Sequence, residues 1–206
     1  MLCIKGGYNI EEIRIKWNER YEMALVPNQV IDVLELNLHL LTGQGRSLDL
    51  ACGLGGNALR MAELGYESHA WDISDTAIEK VQEFSQERQL NILARQCDIS
   101  QEVLPAESFD IIIVSRFLLR DIVPSMIAAL RPGGLIFYQT FILESAVQAQ
   151  GASELGPQNH HFRLARNELL SLFSELTLRY YREEGLIGAL DKGFRNEAML
   201  VAQKNL

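Results

Sequence analysis

Short apolar runs alternate with amphipathic segments along most of this chain, which is the pattern expected of an α/β fold. The apolar runs predict strands at 46–50, 68–71, 92–96, 109–114 and 135–140, followed by two more near 176–182 and 197–203. The run at 109–114 is too continuously apolar for a half-exposed strand, so we expect it at the centre of a parallel sheet. The pattern predicts one domain over 1–206, a Rossmann-like doubly wound α/β sheet of about seven strands, mostly parallel with an antiparallel C-terminal strand and helices on both faces.

Residues with helix-ending or helix-capping preferences separate these strands. The predicted helices are 9–24, a stronger one from Pro27 to about Leu41, one with Asn57 as N-cap that ends at Gly65, one from Ser74 or Asp75 to about Arg88, 121–130, and 166–174. Arg131-Pro132-Gly133-Gly134 predicts a turn before the fifth strand. Residues 141–165 have no clear periodicity, and because they leave a strand at its carboxyl end we expect a substrate lid there.

The segment between the first two predicted strands gives the strongest indication of a ligand site. Gly53, Gly55 and Gly56 follow the first strand, where side chains would keep the backbone away from a ligand. Asp72 follows the second strand, 72 − 53 = 19 residues after the first glycine. That is close to the ~20-residue spacing at which a carboxylate meets ribose hydroxyls in Rossmann-type pockets. The spacing predicts a nucleoside ligand.

Two ligand classes fit this loop. Gly53, Gly55 and Ala58 match the GxGxxA pattern of nicotinamide and flavin enzymes, in which a pyrophosphate lies at the helix N-terminus. Asp49, at the end of the first strand, would repel a pyrophosphate but would suit a ligand that carries an ammonium and a sulfonium. The segment Asp49-x-Ala51-Cys52-Gly53-x-Gly55 resembles the first motif of class I S-adenosylmethionine-dependent methyltransferases. An ordinary βαβ turn without a ligand is the remaining alternative.

Further segments resemble one group within that superfamily. Trp17-Asn18-Glu19-Arg20-Tyr21, Leu130-Arg131-Pro132-Gly133-Gly134, Gly156-Pro157 through Phe162, and Asn167-Glu168-Leu169 resemble segments of the tellurite-resistance and thiol methyltransferase-like group. The resemblance implies an N-terminal helical cap over 1–45 that covers the cofactor, with Arg20 and Tyr21 on the methionine carboxylate. The alternative is an amphipathic helix in which Trp17 and Tyr21 only pack on each other.

The same resemblance assigns a role to each strand end, because the carboxyl ends of parallel strands converge on one crevice. It implies that Asp49 lies at the methionine end, Asp72 at the ribose, Asp98-Ile99 at the adenine, and Ser115-Arg116-Phe117 beside the reacting methyl. For Asp98 alone, a solvated loop acid is an equal alternative. The expected cofactor is S-adenosyl-L-methionine, and the expected cofactor-binding residues are Arg20, Tyr21, Asp49, Ala51, Gly53, Gly55, Asn57, Asp72, Ile73, Asp98, Ile99, Ser115, Arg116 and Phe117.

The composition of the chain favours one class of substrate and one cellular location. A net charge of −8 gives no overall attraction for phosphate backbones, so we expect a small-molecule substrate rather than a nucleic acid. No basic leader or long apolar run is present, so we expect a cytoplasmic monomer or homodimer that does not bind membranes.

Cys3, Cys52 and Cys97 are scattered and predict neither a disulfide framework nor a metal site. Cys52 is expected to be a small residue beneath the ligand rather than a catalytic thiol.

The predicted lid carries the candidate catalytic residues. His160, His161 and Arg163 form a cluster that could attract an anionic acceptor or accept a proton, although two solvated loop histidines are an equal alternative. Methyl transfer from a sulfonium is an in-line displacement in which alignment supplies much of the acceleration, so a general base is optional. We expect methyl transfer to a small acceptor such as a thiol or a chalcogen oxyanion. The alternatives are a nicotinamide-dependent oxidoreductase and a non-catalytic nucleoside-binding module.

Overall fold

The computed structural model describes residues 9–144 and 156–206, and its centre is one seven-stranded sheet. The strands are β1 (Arg46–Leu50), β2 (Glu67–Asp72), β3 (Ile92–Gln96), β4 (Phe109–Ser115), β5 (Leu130–Phe141), β6 (Thr177–Arg182) and β7 (Glu197–Gln203). They lie in the order β3-β2-β1-β4-β5-β7-β6. Neighbours from β3 to β5 are parallel, whereas β7 is antiparallel to both β5 and β6. The predicted Rossmann-like sheet is confirmed.

Both faces of the sheet are buried, which explains why its central strands are continuously apolar. One face packs through a cluster that includes Leu50, Val114 and Tyr138, and the other through a cluster that includes Ile113 and Phe137. The helices are α1 (Ile10–Tyr21), α2 (Asp32–Leu36), α3 (Gly56–Glu63), α4 (Asp75–Glu87), α5 (Val123–Ala129) and α6 (Glu168–Leu172), with 3₁₀ turns at Leu38–Leu40, Arg120–Ile122 and His160–Phe162. None of the helices in the described ranges is long and apolar enough to cross a membrane.

The prediction of a long helix from Pro27 to about Leu41 is wrong. The chain forms the five-residue helix α2 and then a separate 3₁₀ turn. Two distant side chains bind the backbone where that helix would begin: Asn57 Oδ1 accepts from Ile31 N at 3.0 Å and Gln139 Oε1 accepts from Val33 N at 2.9 Å. These tertiary hydrogen bonds outweigh the local helical periodicity.

The prediction that Asn57 caps α3 is also wrong. Gly55 is the N-cap, in the left-handed conformation with φ 73°, and Asn57 lies inside the helix. A Cβ on Gly55 would lie 2.7 Å from a methyl carbon of Val81, so α4 packs directly against this glycine. The other predicted cap is confirmed, because Ser74 Oγ accepts from Ala77 N at the start of α4.

The turn predicted at Arg131-Pro132-Gly133-Gly134 belongs to β5, which already begins at Leu130. Its pairing with β4 is irregular, with a shift of register between Phe109 and Ile111. The C-terminal end of the chain supplies the missing partner, because Gly133 N donates to Lys204 O and Lys204 N donates to Gly134 O. The sequence pattern misses this pairing because the partner lies at the far end of the chain.

Candidate functional site

Asp49, in β1, is a buried acid, and the residue is only 1% exposed. Its Oδ1 accepts from Asn57 Nδ2 at 3.2 Å, and its Oδ2 accepts from Ala58 N at 3.1 Å. Burial raises the pKa of Asp49 to about 7, although both hydrogen bonds act in the opposite direction. Because Asn57 also accepts from Ile31 N, this acid is connected to the segment that precedes α2.

Asp72 ends β2 and fixes the glycine loop to that strand. Its Oδ2 accepts from Gly53 N at 2.8 Å and its Oδ1 accepts from Ser74 N at 2.9 Å. Burial raises the pKa of Asp72, and the backbone hydrogen bonds from Ser74 and Gly53 lower it. A carboxylate has about four acceptor positions, and the N–H groups of Ser74, Gly53 and Ile73 act on up to three of them. At least one acceptor position therefore remains for a ribose hydroxyl.

The glycine loop lies directly beneath the segment that links α1 to α2. A Cβ on Gly53, whose φ is 52°, would lie 2.7 Å from Asn28 Nδ2 and 2.8 Å from Tyr21 Oη. A Cβ on Gly56 would lie only 2.0 Å from the carbonyl oxygen of Asn28. Close approach by the protein's own N-terminal segment thus requires these glycines, a reason that the sequence pattern did not reveal. Ala51 also has a positive φ, 57°, just before the loop.

Helix α1 is attached to the N-terminal end of α4. Arg14 Nη1 donates to both carboxylate oxygens of Asp75 at 2.8 and 2.7 Å. Asn18 Nδ2 donates to Asp75 Oδ1 at 3.2 Å, and Asn18 Oδ1 accepts from Ser74 Oγ at 2.6 Å. These contacts hold the N-terminal helix against Ser74 and Asp75, which follow Ile73 in the link from β2 to α4.

Tyr21 and Arg20, both expected on the cofactor, lie at the end of α1 in different environments. The rings of Trp17 and Tyr21 stack with centroids 5.5 Å apart, and the exposed guanidinium of Arg20 lies 5.2 Å from the Trp17 ring. Burial and the nearby negative charge of Asp72 raise the pKa of Tyr21, so its hydroxyl stays protonated. Stacking and the approach to Gly53 therefore occur together, and the packing alternative does not exclude a ligand contact.

The two residues expected at the adenine differ in exposure. Asp98 is partly buried, and its Oδ1 accepts from Ser100 N at 2.9 Å and from Ser100 Oγ at 2.7 Å. Ile99 is 7% exposed and packs in the main apolar core. Cys97 N donates to the Asp72 carbonyl at 2.8 Å, which brings this loop beside the end of β2. The adenine contact itself stays a prediction.

The predicted wall after β4 contains a hydrogen-bonded polar network. Arg116, in the left-handed conformation with φ 50°, donates from Nε to Glu197 Oε1 at 2.7 Å. Glu197 Oε2 accepts from Gln139 Nε2 at 2.6 Å, and Gln139 in turn binds Val33 N in α2. Ser115 is paired with Gln139 across β4 and β5. The network joins the end of β4 to the N-terminal cap.

Phe117 belongs to the same strand end, and its carbonyl accepts from the buried hydroxyl of Tyr138 at 2.9 Å. Gln139 and Glu197 were missed by the sequence analysis. A glutamine inside the predicted strand 135–140 was the available indication, because a polar side chain in a buried strand requires partners.

The three candidate catalytic residues do not form one exposed cluster. His160 and His161 are exposed in a 3₁₀ turn, whereas Arg163 is only 1% exposed. Arg163 donates from Nε to the Pro157 carbonyl at 2.8 Å and from Nη1 to the Ile142 carbonyl at 3.2 Å. Sequence proximity alone grouped Arg163 with the histidines. Residues 145–155 of the predicted lid lie outside the described residues, so the lid stays a prediction.

The described cysteines are poor nucleophiles. Cys52 and Cys97 are both buried, and burial raises the pKa of the Cys52 thiol and brings that of Cys97 to about 11. Within residues 9–144 and 156–206, no three His, Cys, Asp or Glu side chains are grouped as metal ligands. Cys52 lies between two buried acids, which also disfavours its thiolate.

Comparison with known proteins identifies the family. Residues 12–200 match the family described as tellurite resistance protein TehB. A Haemophilus influenzae protein named as a probable S-adenosyl-L-methionine-dependent methyltransferase TehB is 27% identical over 198 residues, which cover 94% of this chain and 64% of that relative. The chain thus spans slightly less than two thirds of the length of that curated relative.

Two solved structures share the fold. The crystal structure of TehB from Haemophilus influenzae superposes with a TM-score of 0.67 and 23% identity, covering 93% of this chain and 67% of that one. An S-adenosylmethionine-dependent methyltransferase from Methanosarcina mazei superposes with a TM-score of 0.64 and 18% identity, covering 87% and 100%. The resemblance inferred from the short sequence motifs is confirmed by the family match over most of the chain. This chain belongs to the tellurite resistance protein TehB family.

Proposed function

We propose that this chain binds S-adenosyl-L-methionine and transfers its methyl group to a small molecule. The observation that carries the proposal is the pair of buried acids, Asp49 and Asp72, at the ends of adjacent parallel strands on either side of a glycine loop. The name of the Haemophilus influenzae relative supports the same activity.

The chemistry of the donor set supports this cofactor. Asp72 would accept from the ribose hydroxyls, and Asp49 would face the cationic amino acid end, where a positive charge favours its ionised form. Arg20 and Tyr21 supply donors for the methionine carboxylate. The remaining proposed contacts are Ala51, Gly53, Gly55, Asn57, Ile73, Asp98, Ile99, Ser115, Arg116 and Phe117. When bound, the cofactor supplies an electrophilic methyl group on a sulfonium.

For the acceptor we propose a small thiol or chalcogen oxyanion. The acceptor atom forms its bond to the methyl carbon while the carbon–sulfur bond breaks, and that electron pair remains on the former sulfonium as a neutral thioether. An anionic acceptor needs no base, whereas a neutral thiol must lose a proton. His160 and His161 are exposed imidazoles that can accept it. The buried guanidinium of Arg163 supports their turn through main-chain carbonyls rather than by contacting the acceptor.

The alternative ligand, a nicotinamide dinucleotide, is disfavoured because Asp49 already binds a backbone donor at the helix end that its pyrophosphate would need. Its pyrophosphate would lie at the N-terminal end of α3, where Asp49 accepts from Ala58 N. The net charge of −8 likewise favours a small acceptor over a nucleic acid. We keep the expected cytoplasmic location and the monomer or homodimer as parts of the proposal.

Calorimetry followed by turnover tests the proposal. S-adenosylhomocysteine should bind, and NADH and NADPH should not. The protein should then methylate at least one of a panel of thiols, selenite and tellurite, and His160→Ala/His161→Ala should lower kcat/KM by about 10²-fold with unchanged cofactor affinity. His39→Ala, which removes an exposed histidine from another 3₁₀ turn, is the control. Binding of NADH but not of S-adenosylhomocysteine would refute the proposal, and binding without any turnover would favour a non-catalytic module.

A further inference from the structure

Arg120, five residues past the end of β4, makes four hydrogen bonds to the segment that contains the two histidines. Its Nε and Nη2 donate to the two carboxylate oxygens of Glu168 at 2.5 and 2.9 Å. Its Nη1 donates to the carbonyl of His161 at 2.6 Å, and its Nη2 also donates to the carbonyl of Arg163 at 3.0 Å. One guanidinium therefore contacts the histidine turn and the first residue of α6 at once.

The partner carboxylate is itself held in place. Glu168 Oε2 accepts from Ala165 N at 2.7 Å, so the Glu168 side chain also binds the backbone between the histidine turn and α6. The hydrogen bond from Arg120 lowers the pKa of Glu168, which keeps the pair ionised near neutral pH. A planar guanidinium can serve a carboxylate and two carbonyls simultaneously, whereas a lysine ammonium is a compact point charge and cannot reproduce this fork.

The main chain of this segment is also attached to the end of β5. Leu164 N donates to the Phe141 carbonyl at 2.9 Å, and Leu143 N donates to the Leu164 carbonyl at 2.9 Å. This attachment fixes the chain after the turn but leaves the direction of the turn itself to side-chain contacts. Arg120 and Arg163 both supply such contacts, and Arg120 supplies them from the 3₁₀ turn that follows β4, the strand whose end is the proposed wall beside the reacting methyl.

We propose that Arg120, together with Glu168, is a positioning residue that sets where the His160–His161 turn lies relative to the carboxyl end of β4. Arg120 acts through the histidines and does not itself contact the acceptor. The kinetic consequence of this proposal rests on the proposed function, whereas its structural consequence does not. The two consequences are therefore tested separately.

The structural test is amide hydrogen exchange in peptides that cover 158–168. Arg120→Met removes every donor, and exchange in these peptides should become at least roughly tenfold faster while β1 and β2 exchange as in wild type. The matched control is Arg131→Met. Arg131 has a similar side-chain exposure, 38% against 36%, and also binds a carboxylate and a carbonyl, those of Asp110 and Glu107. Unchanged exchange in Arg120→Met would overturn the proposal.

The kinetic test compares acceptor turnover with cofactor binding. Arg120→Met should lower kcat/KM for the acceptor by roughly tenfold while the S-adenosylhomocysteine dissociation constant stays within about twofold. The kcat/KM of Arg120→Lys should fall between those of wild type and Arg120→Met. The kcat/KM of Arg131→Met should equal that of wild type even if this variant lowers Tm as much as Arg120→Met does. If Arg120→Met does not fold, Glu168→Gln replaces it, since the neutral amide keeps the shape and loses the ion pair.

The histidine variant separates the two possible failures. Faster exchange with unchanged acceptor kinetics overturns the positioning role. If His160→Ala/His161→Ala lowers turnover in the same assays, only the role of Arg120 is wrong. If that variant also has wild-type acceptor turnover, the acceptor role proposed for the histidines has failed and the positioning role fails with it.

Discussion

The buried carboxyl of Asp49 should make the free energy of unfolding fall as the pH rises from acid to neutral. Burial raises its pKa to about 7 from an ordinary value of 3.8. Between these values the folded protein holds a proton that the unfolded chain releases, so folding is favoured at the acid end of the window. The contribution is fully present below the ordinary pKa and is lost as the pH passes through about 7.

The expected size follows from this shift. One pKa unit corresponds to about 1.4 kcal/mol, and the part of the shift that titrates between about pH 5 and pH 8 amounts to about 2–3 kcal/mol. The acids Asp75 and Glu168 act in the opposite direction, because hydrogen bonds from arginines lower their pKa values. A comparison with Asp49→Asn removes these common contributions, since asparagine does not titrate and the surface pairs are unchanged.

The measurement is urea denaturation of both proteins at several pH values across this window. Asparagine can still accept from Ala58 N, but its amide group opposes the amide of Asn57, so a constant offset between the two proteins is expected. The informative quantity is therefore how the difference changes with pH. Wild type should lose about 2–3 kcal/mol relative to Asp49→Asn between the two ends of the window. Parallel curves would mean that Asp49 is ionised throughout the window and that burial does not raise its pKa.

Two further substitutions test the contacts around the site. Asp72→Ala removes the acceptor of Gly53 N and Ser74 N. It should cost about 1–3 kcal/mol in urea denaturation and, by calorimetry, a similar amount of S-adenosylhomocysteine binding; an unchanged dissociation constant would refute the ribose assignment. Gln139→Leu leaves Val33 N and Glu197 without their shared partner. It should cost about 2–4 kcal/mol, and a Tm equal to that of wild type would show that the network contributes little.

The strands could be predicted because a strand that is buried on both faces has apolar residues at nearly every position. The bounds of β1 and β3 match the prediction, and the central place of β4 follows from its uninterrupted apolar run. The convergence of Asp49 and Asp72 needed no long-range information beyond this, since the carboxyl ends of adjacent parallel strands lie together.

The errors all occur where a distant residue determines a local structure. Helix α2 starts late because Asn57 and Gln139 bind the backbone near its beginning, and these residues lie 26 and 106 positions away from their partners. Asparagine is a favoured N-cap residue, but the Asn57 amide already donates to Asp49 and accepts from Ile31 N. Local propensity cannot anticipate such partners, because their positions depend on the assembled sheet.

The same limit explains why the sequence grouped Arg163 with the histidines and overlooked Arg120. Neighbours in sequence share a loop, but adjacent side chains there can point to opposite environments. The two arginines after β4 show what the folded chain adds. Arg116 pairs with Glu197, which leads through Gln139 to α2, and Arg120 pairs with Glu168, which leads to the histidine turn. Because each arginine has its own glutamate, a substitution at Arg116 should disturb the wall after β4 and spare the histidine turn, and a substitution at Arg120 should do the reverse.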